Sequence, residues 1–214
     1  MSKPGNALFV GLVLVACTVL GFASLASASL IVPGQAAFAI AEPDPVGGGA
    51  IHTIGPLPFV SGTFSGTLTS SVIQGDTTNP FGGLTFTYLL QNNAVSPEAI
   101  GRLTVNSFAG FLTDMSYQIP LAGLAPTLND RSGGIGDVVG FSFVGFPIGV
   151  GTLSPGKSST LLVVQTNAPD WQQTTAAVID GSVTTVPSLA PVPEPATLSL
   201  LALGGLALIR RRKN

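Results

Sequence analysis

Charge is scarce in this sequence: eight lysines and arginines and ten aspartates and glutamates make up 8% of its 214 residues. Disordered segments combine high charge with low hydrophobicity, whereas 45% of this chain is hydrophobic, so its composition argues for a folded core. Histidine, cysteine and tryptophan occur once each, as His52, Cys17 and Trp171. A Ser-His-Asp or Cys-His site would have to be built on His52, which lies in a Pro/Gly-rich stretch with no second His, Cys or carboxylate at ligand spacing. His52 therefore reads as a solvated or packing histidine, with no metal and no cofactor expected. Basic residues are scarcest between the two chain ends, where Arg102, Arg131 and Lys157 face nine carboxylates. Nucleic-acid binding, which needs a basic footprint, is excluded.

The N-terminus has the layout of a secretory signal. Lys3 supplies the positive charge, residues 7–23 the apolar stretch, and Ala26-Ser27-Ala28 an A-x-A site. Signal peptidase is expected to cut between Ala28 and Ser29. A rival reading takes Leu14-Val15-Ala16-Cys17 as a lipobox with Cys17 lipidated, although the apolar run continues past Cys17 to Phe22. With cleavage after Ala28 the only cysteine leaves with the signal, and the exported domain has neither thiol nor disulfide. Stability must then come from its core.

The C-terminus has three parts in order: Val192-Pro193-Glu194-Pro195, an apolar run over residues 196–209, and Arg210, Arg211, Arg212 and Lys213. Two prolines around Glu194 hold it in an extended presenter, so a helix can start only after Pro195. The 14 apolar residues would reach about 21 Å as a helix, short of a bilayer core of about 30 Å. Seven large aliphatics contribute only about −2 to −4 kcal/mol of insertion free energy, so the run is a weak anchor. The basic cluster favours the cytoplasmic side and places everything before it outside. This order resembles the PEP-CTERM sorting signal of Gram-negative bacteria. The resemblance implies recognition by an exosortase, processing near the Pro-Glu-Pro, and an envelope or extracellular fate in bacteria that make exopolysaccharide.

Between the ends, one folded domain is expected. Residues 29–58 contain Glu42-Pro43-Asp44-Pro45-Val46-Gly47-Gly48-Gly49 and Gly55-Pro56-Leu57-Pro58, and read as a loop or loose lead-in. From Thr63 the chain alternates with period two. Residues 63–73 and 84–91 are read as a long hairpin, with further strands at 102–108, 114–119, 138–144, 159–166 and 176–185. Seven short strands and no amphipathic helix predict an all-β, antiparallel two-sheet sandwich. Phe64, Leu68, Phe86, Tyr88, Leu103, Val105, Phe141, Phe143, Leu162 and Val164 are its expected core. The organisation expected is a signal helix at 1–28, lead-in at 29–58, sandwich at 59–187 and sorting signal at 188–214, with a short transmembrane helix at 196–209.

A second resemblance lies in Leu161-Leu162-Val163-Val164-Gln165-Thr166-Asn167-Ala168 and Val178-Ile179-Asp180-Gly181, similar to the β-rich domain preceding the tail in many carriers of this signal. It implies an architecture, not a reaction. Trp171 stands near a turn, where its ring either covers the end of the core or stacks on a sugar. Residues 129–137 have the look of a calcium loop, but Arg131 occupies a position needing an oxygen ligand and the bidentate Glu is missing, which favours a turn. Asp76, Glu98, Asp114, Asp130, Asp137, Asp170 and Asp180 are candidates for a glycosidase pair, and nothing singles out two of them. A structural or interaction protein, not an enzyme, is therefore expected, with exosortase, signal peptidase and transiently the inner membrane as partners, and exopolysaccharide as its surroundings. The alternatives are a carbohydrate-binding module using Trp171, Tyr88 or Tyr117, and an extracellular hydrolase.

Overall fold

The computed structural model describes residues 30–119, 122–145 and 151–193. Within them lie twelve strands and no helix: β1 (Ala36–Phe38), β2 (Ile40–Glu42), β3 (Gly49–Val60), β4 (Ser65–Gln74), β5 (Thr85–Asn92), β6 (Arg102–Val105), β7 (Thr113–Gln118), β8 (Leu128–Arg131), β9 (Val139–Ser142), β10 (Leu162–Thr166), β11 (Trp171–Asp180) and β12 (Ser182–Pro191). One six-stranded sheet runs β1-β8-β9-β6-β11-β12 and the other β2-β7-β10-β5-β4-β3.

Alternation produces this arrangement. In β4 every second residue is buried, so Leu68 and Val72 point inward between half-exposed Thr67, Thr69 and Ser71. The β4–β5 hairpin then fixes register by placing Leu68 opposite Leu90 and Val72 opposite Phe86. All ten expected core residues are at most 1% exposed and belong to one cluster drawn from both sheets. The Phe86 and Phe108 rings meet edge to face at 5.9 Å, a favoured geometry for aromatic quadrupoles. Tyr88 is fully buried, and its hydroxyl donates to the Leu189 carbonyl across the core at 2.8 Å.

Several expectations are corrected. The stretch read as a loose lead-in holds three strands, one of them the twelve-residue β3. Its prolines are tolerated because β3 is the outermost strand of its sheet and its pairing breaks register between Ile54 and Leu57. The single strand expected at 176–185 is a hairpin of β11 and β12, turning at Gly181 with φ 62°. Residues 129–137 contribute β8 as well as a turn. The sheets are not wholly antiparallel, since β2 pairs with β7 in parallel. That exception follows from the chain changing sheets at Ala39, whose N–H bonds Thr127 O, so that β1 and β2 run the same way in different layers. The expected terminal helices, the cleavage site Ala28–Ser29, Cys17, Glu194, Pro195 and the basic cluster lie outside the described residues.

Candidate functional site

The described chain starts and stops at the same end of the sandwich. In the β7–β10 pair, Thr113 lies opposite Thr166. Leu30 bridges to Asp114, and the Ile31 N–H bonds Thr113 O. After Thr166 the chain turns across this end, with the Leu112 N–H donating to Asn167 Oδ1 at 2.9 Å, and enters β11 at Trp171. Because β12 returns antiparallel to β11, its last residue, Pro191, lies opposite Trp171.

That geometry fixes where the sorting motif begins. Pro191 is buried, its carbonyl accepts from Gln172 Nε2 at 3.1 Å, and the Val192 N–H donates to Asp170 O at 3.2 Å. Val192 and Pro193 are half-buried at the rim. Trp171 packs against the core, and the imidazole of His52 stacks on its indole. Imidazole thus covers one face of the ring proposed from sequence as a sugar platform, and His52 is a packing histidine.

The same end is tied together by Arg131. Its Nε donates to Gly136 O (2.8 Å), its Nη2 to Phe108 O (2.7 Å), and its Nη1 to Thr113 Oγ1 (3.0 Å) and Ile31 O (3.4 Å). Arg131 is 5% exposed, and burial lowers the pKa of its guanidinium. Its role is to join two connections and the start of β7 to Ile31, near the start of the described chain. The oxygen-ligand position of a calcium loop is thereby filled by a donor.

Sequence reasoning missed a second grouping, on the outer face of the β2-β7-β10-β5 region. Glu42, Asp44, Asp76 and Asp114 are all under 9% exposed. Burial, then the charges of Asp114 and Asp44, push Glu42 up to about 7. Asp44 is also raised, by burial, despite accepting a 2.7 Å bond from Ser116 Oγ. Glu42 Oε1 and Asp44 Oδ1 find no hydrogen-bond partner among the described residues. Asp76 goes the other way: burial would raise it, but donors from Thr78, Thr85, Gln165 and the Val46 N–H outweigh burial and hold it below the ordinary value. Asp76 is thus shifted toward the anion while Glu42 and Asp44 are shifted toward the protonated form. Among the described residues no three His, Cys, Asp or Glu side chains are arranged to hold a metal ion. Three surface cavities, near Lys157, near Asn167 and near Ile135, have no carboxylate or histidine in their walls.

The final strand of this all-β, two-sheet domain ends at Pro191, directly before the Val192-Pro193-Glu194-Pro195 of the sequence. Residues 191–213 match the family model of the PEP-CTERM protein-sorting motif, so the chain carries that motif at these residues. The motif implies export, exosortase-dependent sorting and an envelope or extracellular fate. No curated protein and no solved structure matches the chain. Among the described residues no helix is long and apolar enough to cross a membrane, and residues 196–209 are not among them.

Proposed function

We propose that this protein is a non-enzymatic component of the cell envelope or exopolysaccharide matrix, held in the inner membrane by residues 196–209 only until an exosortase processes its tail. The observation that carries this reading is the seam at Pro191, where the last sheet residue is also the first residue of the matched motif. In sequence, Glu194 follows this strand end by three residues, and its two flanking prolines favour an extended chain there. A structural role is supported by the placement of the buried carboxylates, which pack within a sheet face instead of lining any of the three cavities. Association with polysaccharide is supported by uncharged polar side chains exposed on the terminal hairpin, Gln173, Thr175 and Thr185, which suit hydroxyl-rich, neutral partners.

The test is replacement of Pro193-Glu194-Pro195 by three alanines. Export should persist and processing stop, so that chain retaining residues 210–214 accumulates in the inner membrane. Equal processing of the alanine variant, or retention of residues 210–214 by the unaltered protein in cells with active exosortase, overturns the proposal.

A further inference from the structure

The end of the sandwich from which the tail departs also carries a set of exposed apolar side chains. Leu30 (42% exposed), Val32 (49%), Leu112 (49%) and Ile135 (72%) come from three separate segments: the first described residues, the loop before β7 and the β8–β9 connection. They wall one open cavity of about 220 Å³ with Ile31, Pro33 and Phe111, and buried Arg131 contributes to its lining. Solvent-exposed apolar groups gathered in one place, and not scattered singly, mark a contact surface. Arg131 holds these segments in fixed relation by bonding Ile31 O, Phe108 O and Gly136 O, so the rim is preassembled.

We infer that this rim rests on the outer surface of the lipid bilayer while the tail is inserted. The inference deepens the proposed function and rests on its reading of residues 196–209 as membrane-held. Chain length selects the occupant. Four residues, Val192 to Pro195, separate the last sheet residue from the apolar run, and fully extended they span at most about 14 Å. The headgroup layer takes up about 5 to 7 Å of that. The tail-bearing end is therefore held within roughly 10 Å of the lipid. On the same end, the β8–β9 connection carrying Ile135 lies three to four strands from β12, a lateral offset of about 15–20 Å. The tail and the rim make two separate supports, and together they set the tilt of the domain and the height of Glu194 above the bilayer.

The test uses the chain as exported, Ser29 to Asn214, which has no cysteine of its own, reconstituted in phosphatidylethanolamine/phosphatidylglycerol vesicles and labelled with an environment-sensitive fluorophore at Ile135→Cys or, at the opposite end, Val183→Cys. Headgroup nitroxide lipids should quench the Ile135→Cys label at least twofold and leave the Val183→Cys label unchanged. Adding Leu30→Ser, Val32→Ser and Leu112→Ser should abolish the quenching at position 135 while the chain still floats with vesicles and keeps its β-rich spectrum. Flotation with equal quenching at both positions, or with none, overturns the lipid contact and leaves the tail reading standing. Failure of the unaltered chain to float removes both.

Discussion

The imidazole of His52 lies over the indole of Trp171 with ring centroids 4.3 Å apart and planes 18° from parallel. It joins β3 to the first residue of β11, directly beside the strand end that leads into the motif. Such a pair is worth about 0.5–1.5 kcal/mol beyond the area it buries. His52→Ala should lower stability to urea by about that amount and red-shift the emission of the only tryptophan. An unchanged spectrum would show that the stack does not persist in solution.

Glu42 sets a pH dependence. Its carboxyl titrates near 7 in the folded protein and at the ordinary 4.5 when unfolded, so the folded state binds the proton more tightly. Its contribution to stability is fully present below about pH 4.5 and is lost as pH rises through about 7, at up to about 1.4 kcal/mol per pH unit. The groups opposing its ionisation are Asp114 on β7 and Asp44 on the following loop. Asp44, raised in the same direction, adds to the slope, whereas Asp76, lowered, contributes stability that is lost only under more acid conditions. Glu42→Gln should flatten the fall between pH 5 and 7.5 and make the protein about 1–3 kcal/mol more stable at pH 8. Denaturant titrations at both pH values check this.

Arg131→Met should be among the most damaging single substitutions on the surface-facing side of the core. It leaves the carbonyls of Phe108 and Gly136 without their guanidinium donors in a buried setting. A loss of about 2–4 kcal/mol is expected. Arg131→Lys should recover only part of it, because one ammonium cannot reproduce the planar fork. Thermal melts of the two variants decide.

Tyr88→Phe keeps the ring and removes one hydroxyl. The Leu189 carbonyl on β12 loses its 2.8 Å donor, which should cost about 1–3 kcal/mol. Hydrogen exchange should show the largest added opening in β12, the strand that carries the tail.

At the N-terminus, the mature protein should begin at Ser29, one residue before the first described residue, Leu30. Mass spectrometry of the secreted form reads this directly. A lipid-modified Cys17 as first residue would refute it.

Legibility followed locality. The core residues of β4 and β5 were readable because alternation within each strand and the turn formers between them are contiguous in sequence. The address at the C-terminus was readable for the same reason, its three parts standing in one uninterrupted order. β3 was hidden because Gly55, Pro56 and Pro58 break propensity, and only its edge position and irregular register accommodate them. The carboxylate grouping was invisible because Glu42, Asp44, Asp76 and Asp114 come from a sheet-switching segment, two connections and a central strand, and only the parallel β2–β7 pairing brings Glu42 to that face. Arg131 had a signal that pointed elsewhere: a lone cation in a glycine-rich turn argued against calcium, yet gave no hint of the carbonyls around it.

Because the described chain enters and leaves at one pole, a mooring through the segments that continue from Leu30 or Pro193 would hold the domain by that pole. The opposite pole is closed by hydroxyls, with Ser61 and Thr63 bonding Ser182 at 2.8 and 2.9 Å beside the Gly181 turn. The proposed mooring would stand the domain with its hairpin tips pointing away from the cell, so that neighbouring copies turn outward the same pole, its hydroxyls set beside the carboxylates of Asp180 and Glu98.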